Sequence, residues 1–470
     1  MPIDVDSEVT EPRELTGNLA GLSLTRQVIV LATWPLLEQF LSFLVGTVDL
    51  ALAGRLAPES EAVKATDALG VAGYIVWLMG MIYATVGVGA AALIARAIGG
   101  RHKRLANAAV GQAMSMALFS GVLVGTVIYC LARLLADGTG LQAAAGTYCR
   151  QYLRIVALAA PPSALLMVGN ATLRAAGDTR SPFAVMVMVN VLNIVLSISL
   201  VFGPPPIGGH GVKGIAIGTA VSWTLGAIAT LTMLAQGWSP AGIRLRMHRL
   251  HPHWHTMRRI LHISMPTLFE SVVGIWLGNF IVLVVVTALK IEGAVGAHMI
   301  VVRIESASFL PGFAFSIAAA TLCGQYLGLG DANRARQAVI RCWAIGSVVM
   351  FTMGLLFFFI PETLVRLITD AGPLVEQSLL PIRICGPIQI FLAMQIILSG
   401  ALRGAGDTRT TMIISVTTTM LVRVPASYVL GITLGFGLNG IWFAIAAELV
   451  LRGVLFAWRF GQGKWEQVSV

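Results

Sequence analysis

Five carboxylates interrupt long apolar stretches of this chain: Glu38, Asp49, Glu270, Glu305 and Glu448. An ionised acid in hydrocarbon costs about 2.5–3.5 kcal/mol on insertion scales, so each needs a partner or a task. Such a group can exchange a proton, bind a metal cation or hold an organic cation. Glu38 and Glu270 follow the helix-breaking Pro35 and Pro266 in equivalent places of the two halves of the chain. An acid after a proline-loosened turn either faces a water-filled cleft or makes an interlobe or kink-stabilising hydrogen bond. Asp49 either carries an ion or, near the outer end of its span, reaches solvent or Arg55. Arg303 and Glu305 are two residues apart, on different sides of a helix, so Glu305 pairs with Arg423 or binds a cation. Glu448 is placed to neutralise Arg452, four residues on. Gln39, Asn170, Asn190, Gln389 and Gln395 either line a cavity or bond helix to helix. Trp34, Trp77, Trp276, Met79, Met81, Met299 and Met394 offer polarizable walls for aromatic cations, or simply pack.

The elements that must carry these residues are membrane spans. Hydrophobic residues make up 56% of the 470-residue chain and charged residues 11%, with a mean hydropathy of +0.82. Soluble domains carry about 25% charged residues, so this chain cannot cover a water-facing surface. Apolar runs predict twelve spans near 27–54, 66–97, 106–134, 147–176, 182–203, 212–236, 258–289, 294–326, 336–360, 377–403, 409–432 and 438–460. With both termini in the cytoplasm, about 20 of the 32 Lys and Arg fall on that side, as the positive-inside rule asks. The net charge of +10 is therefore topological; there is no aromatic–basic interleaving of a nucleic-acid surface.

The chain is built twice. LRAAGDTR at Leu173–Arg180 returns as LRGAGDTR at Leu402–Arg409. GHGVKGIA (Gly209–Ala216) aligns with GFGLNGIW (Gly435–Trp442), and RAIGG (Arg96–Gly100) with QYLGL (Gln325–Leu329). WPLLEQ (Trp34–Gln39) parallels MPTLFES (Met265–Ser271) apart from one inserted residue. Six spans per unit start both copies on the same side, giving parallel repeats about an axis along the membrane normal, an architecture of many secondary transporters. In the octapeptides, Gly177 and Gly406 suit left-handed helix ends, and Asp178 and Asp407 suit caps of the following helices. Arg174 and Arg403 suit the helix dipole and the cytoplasmic headgroups.

Other chemistries lack their motifs. No GxxxxGK[ST], HExxH or GxSxG occurs, so no enzyme, ATP site or catalytic residue is indicated. Cys130, Cys149, Cys323, Cys342 and Cys385 are scattered singly, without metal or disulfide spacing. His248, His251, His253 and His255 sit in a basic linker and read as solvated rather than as a metal tract. Asp4, Asp6, Glu8, Glu11 and Glu14 exclude a signal peptide at the N-terminus and predict a disordered tail.

The paired LRxAGDTR loops, VDLALAGRL (Val48–Leu56), GVGAAALIARAIGG (Gly87–Gly100) and RIESASFLPGFAFSIAAATLCGQYLG (Arg303–Gly328) together resemble the bacterial multidrug and toxic compound extrusion (MATE) transporters, from Arg26 to Phe460. The resemblance implies a twelve-helix, two-lobe fold that exports amphipathic, often cationic compounds in exchange for H⁺ or Na⁺. It also implies an ion-binding or protonatable carboxylate at Asp49. The family often sets an Asn-x3-Asp in the fifth span beside that acid; here Asn193 matches, but Ser197 replaces the second acid. Four residues apart, both share one helix face. A single carboxylate with amide and hydroxyl partners favours H⁺ over Na⁺. Glu270 is compatible with a functional acid in the seventh span of some family branches.

The expectation is thus an all-α membrane protein of twelve transmembrane helices in two six-helix lobes related by a pseudo-two-fold along the membrane normal. Residues 1–25 form a cytoplasmic tail, 26–236 the N-lobe, 237–257 a basic linker, 258–460 the C-lobe and 461–470 a C-terminal tail. Ion coupling falls to Asp49, Asn193, Ser197 and Glu270, and substrate binding to Glu38, Glu305, Gln39, Trp276 and Met299. The partners are small amphipathic cations and the lipid bilayer, with no cofactor, metal or nucleic acid. The protein is expected to act as a monomer in the bacterial plasma (inner) membrane. The alternative is a flippase for a lipid-linked saccharide, disfavoured by the few intramembrane bases, chiefly Arg303 and Arg423.

Overall fold

The computed structural model describes residues 15, 19–53, 56, 59–137, 143–204, 206–239, 242–246, 250–369 and 371–468, without the side chains of residues 42–48, 50–51, 59–60 and 63. The acidic N-terminal residues, Arg55 and His248 lie outside the described residues. The first half runs α1 (Leu24–Ala53), α2 (Glu59–Gly99), α3 (Lys103–Asp137), α4 (Ala143–Leu158 continued by Ala160–Ala175), α5 (Arg180–Phe202) and α6 (Gly211–Gln236). The second runs α7 (Trp254–Ala288), α8 (Ala294–Leu329), α9 (Ala332–Phe359), α10 (Gly372–Ala405), α11 (Thr408–Thr433) and α12 (Gly437–Gly461). A short helical turn, Pro361–Arg366, links α9 to α10.

Ten of these helices are long and apolar enough to cross a membrane, and α4 makes an eleventh when its two pieces are taken as one span. The twelfth, α1, is 30 residues long, or about 45 Å at the α-helical rise. The helices start and stop within about seven residues of the sequence expectation, the largest difference being the start of α2 at Glu59, but not all are regular. The two pieces of α4 meet at 57°. Pro161 and Pro162 open the second piece and lack the N–H groups that would continue the first. In α7 the stretch Glu270–Leu277 is π-helical, and α11 has π turns at Thr419–Arg423 and Val429–Thr433.

Each half builds its own core, yet the first helix of each leans on the other. Val28, Leu31 and Ala32 of α1 belong to the core of the second half. Ile260 of α7 belongs to the core of the first. The outer helices show the opposite pattern: Phe119 and Leu134 of α3 and Val348 and Phe359 of α9 are exposed. Hydrocarbon is the natural solvent for such faces, since monomeric soluble proteins rarely expose large apolar patches.

The halves meet at the end that carries the octapeptides. The Gln325 amide of α8 donates to the Ala175 carbonyl at 3.0 Å, and Tyr326 Oη donates to Gln27 Oε1 at 2.7 Å. Beside them α2 and α8 touch backbone to backbone. A methyl group added at Gly99 would come within 1.9 Å of the Gln325 carbonyl oxygen, and one at Gly328 within 2.2 Å of that of Arg96. These four residues are the aligned RAIGG and QYLGL positions. Residue i of one half meets residue j of the other, and the reverse, which is the signature of a two-fold contact.

Candidate functional site

The first half holds a polar group within the membrane span, built from α1, α4, α5 and α6. Asp49 of α1 lies against the Thr219 hydroxyl of α6. Asn193 Nδ2 of α5 donates to the same hydroxyl at 3.0 Å, and Tyr152 of α4 also lies against it. Thr219 in turn donates to the Ile215 carbonyl at 3.1 Å. One turn along α5 from Asn193, Ser197 packs on Gly218, where an added methyl group would fall 2.5 Å from Ser197 Oγ. Asp49 Oδ1, Asn193 Oδ1 and Ser197 Oγ are all buried without a hydrogen-bond partner. Orphaned buried oxygens are uncommon, and three on adjoining residues make a cluster short of positive charge or of donors. A proton on Asp49 or a small cation would supply either.

Tyr152 and Thr219 carried no sequence signal, because a hydroxyl in an apolar helix is usually a self-satisfied packing group. They become visible only when α4 and α6 are brought against α1.

The acids at the octapeptide end are engaged differently. Glu38 accepts from Arg174 Nη1 at 2.9 and 3.1 Å. Glu270 is buried, accepts from Ser415 Oγ at 2.7 Å and Thr411 Oγ1 at 3.2 Å, and lies 3.6 Å from Arg403 Nη1. Arg174 and Arg403 stand in the last turns of their helices, as the sequence suggested, and their guanidinium groups turn toward acids on the first helix of their own half. The one-residue insertion before Glu270 is absorbed where α7 becomes π-helical, since a π turn accommodates one extra residue. The two acid–arginine pairs thus keep equivalent places.

The octapeptide loops also differ from one another. Gly177 and Gly406 both take the left-handed conformation, at φ +87° and +95°. Asp178 accepts from the Ser181 backbone N–H at 3.1 Å. Asp407 makes no such backbone cap. It accepts from Thr410 Oγ1 at 2.6 Å and pairs with Arg459 of α12 at 2.7 Å. A competing guanidinium explains the difference.

In the second half Glu448 is wholly buried between two arginines, paired with Arg452 and, at 2.7 Å, with Arg423. Arg423 also donates to Asn279 Oδ1 at 3.2 Å. Glu305 is buried near Arg423 and Cys385, with Oε1 unpartnered, and receives no hydrogen bond from that arginine. Gln39 and Met299 are half-buried, as is Trp276, which stacks on Phe280 at 5.8 Å. Asp49, Asn193 and Ser197 are brought together, whereas Glu38, Glu270 and Glu305 occupy three separate settings. Among the described residues no group of three His, Cys, Asp or Glu is placed to hold a metal.

Comparison with known proteins accounts for this arrangement. The MatE family matches residues 35–198 and again 266–429, one copy per half. The chain is 30% identical over 454 residues to a probable multidrug resistance protein NorM of Thermotoga maritima, covering 95% of this chain and 94% of that protein. It is 25% identical to the multidrug resistance protein MdtK of Yersinia enterocolitica, covering 94% and 95%. Its fold matches an outward-facing structure of a multidrug resistance MATE family transporter of the MOP superfamily, with a TM-score of 0.86 at 19% identity, over 94% of this chain and 97% of that one. With its two matched halves, twelve helices and twin octapeptides, the chain belongs to the MatE family of multi-pass membrane transporters, the MATE proteins its sequence resembles.

Proposed function

We propose that this protein is a proton-coupled antiporter that exports amphipathic cations from the bacterial cytoplasm across the plasma membrane, as a monomer with both termini inside. The observation that carries the reading is the group of orphaned oxygens at Asp49, Asn193 and Ser197 inside an apolar span. Protonation of Asp49 from outside supplies the missing donor and discharges the carboxylate. A cation held in the cleft then loses its counter-charge and leaves outward. Deprotonation toward the inside restores the charge.

The family membership and the names of the relatives support the substrate class. The halves are shut together at the octapeptide end, which the positive-inside rule assigns to the cytoplasm. A cleft opening the other way is the state that releases cargo outward. Trp276, Met299 and Gln39 supply its adaptable wall. The flippase alternative asks for bases facing a pyrophosphate, and Arg423 is already committed to Glu448 and Asn279.

The test is dye efflux from proteoliposomes under separately imposed pH and Na⁺ gradients. Wild type is expected to respond to the pH gradient, and Asp49→Asn to lose coupled efflux while inserting normally. Efflux by Asp49→Asn at the wild-type rate overturns the assignment. A response to Na⁺ alone transfers the site to that ion.

A further inference from the structure

The pseudo-symmetry breaks at a second place, on the outside of the octapeptide end. In the first half, Trp34 of α1 packs on Phe183 of α5, with ring centroids 5.2 Å apart. The guanidinium of Arg180, last residue of the octapeptide, lies 5.4 Å from the Trp34 ring centroid. The three close this face on itself.

Their equivalents in the second half are Met265, Met412 and Arg409. Two slimmer, unstacked side chains leave a groove of about 410 Å³ between α7 and α11. Arg409, Arg258 and His262 border it, and its apolar side is Met265, Met412 and Leu261. None of the three basic side chains makes a hydrogen bond or ion pair among the described residues, and no carboxylate lines the groove. One repeat earlier the positions of Arg258 and His262 are held by Gln27 and Leu31, so the basic rim belongs to the second half alone.

We infer that this groove is a binding site for one anionic phospholipid. The level is right, since α7 and α11 both begin here, where spans leave the hydrocarbon. Arg258 and Arg409 match a phosphodiester, and the exposed Met265 with Met412 gives the glycerol and upper acyl chain an apolar, deformable wall. A free phosphate would use the arginines but leave that wall bare. The bound headgroup would sit beside Pro266, one turn before Glu270, bracing the helix where its π segment starts.

Native mass spectrometry of the full-length protein, released from micelles containing phosphatidylglycerol, phosphatidylcholine or inorganic phosphate, tests the site. Wild type is expected to retain one phosphatidylglycerol and to prefer it over phosphatidylcholine by about tenfold or more, from two basic contacts. Retention should fall by a similar factor in Arg258→Gln/Arg409→Gln. It should fall equally in Met265→Trp/Met412→Phe, which keeps every charge and fills the groove as the first half does. Arg180→Gln should change nothing. Undiminished retention by the filled variant overturns the proposal, as does equal retention of phosphatidylcholine or displacement of the lipid by phosphate.

Discussion

Glu38 and Arg174 lock α1 to α4 through two hydrogen bonds from a single guanidinium nitrogen, at 2.9 and 3.1 Å. Their counterparts, Glu270 and Arg403, stand 3.6 Å apart, and Ser415 and Thr411 satisfy most of the carboxylate instead. The same clamp is thus tight in one half and loose in the other.

A double-mutant cycle measures it. Glu38→Gln with Arg174→Gln is expected to give a coupling energy of about 1–3 kcal/mol, in the range for residues in direct contact. Glu270→Gln with Arg403→Gln should give about 1 kcal/mol or less, because Ser415 and Thr411 already hold the carboxylate and the guanidinium stands 3.6 Å away. Denaturant titration in mixed micelles reads both. Equal couplings would show that the distances carry no energetic difference.

The π segment of α7 makes a second prediction. Removing one residue within Glu270–Leu277, such as Val272, should let the helix close into α geometry and leave Val282, Val285 and Val286 buried as before. Removing Val284 beyond the segment should rotate everything after it by about 100°, one residue of a 3.6-residue turn. The first variant is expected to insert and keep a cooperative unfolding transition, and the second to lose it. Similar behaviour of the two would mean that the segment absorbs nothing.

Much of this fold was written in the chain because a bilayer leaves few options: long apolar runs must be helices. The one-residue insertion before Glu270 was also visible, as a misfit between repeats. What the repeat could not convey was direction. Arg174 reads as a helix-end residue until α1 is set beside α4, and Asp407 reads as a cap until Arg459 arrives from α12. Asp49 stood out as a charge in an apolar span, while Tyr152 and Thr219 remained invisible because hydroxyls are common helix fillers. Local pattern identifies the element and the expensive residue; the partners come from other helices.

Glu448 illustrates the cost of losing such a partner. It is shared between two arginines inside the second half, and Arg452 depends further on Thr418 and Thr419. Glu448→Gln is expected to destabilise the protein by about 3–5 kcal/mol, the penalty for an uncompensated buried charge. Adding Arg452→Met should recover part of that loss. A loss of stability below about 1 kcal/mol in the single variant, read by denaturant titration, would show that water or lipid already reaches the arginines.

The glycine contact between the halves gives the clearest mechanical test. Gly99 and Gly328 allow α2 and α8 to touch with backbone atoms, and any side chain there must push the neighbouring carbonyl away. Gly99→Val should therefore wedge the octapeptide end open without disturbing either core. Cys323 is a built-in reporter: it is buried on α8, next to Gly324, which packs on Ala95 of α2. In a variant keeping only that cysteine, a water-soluble maleimide is expected to react slowly with the parent and at least about tenfold faster once the wedge is present, as expected if it frees about 1.4 kcal/mol of closure. Transport should fall in parallel, because a gate that cannot shut cannot alternate. Unchanged labelling with unchanged transport would mean that the close approach of Gly99 and Gly328 does not hold the two halves together.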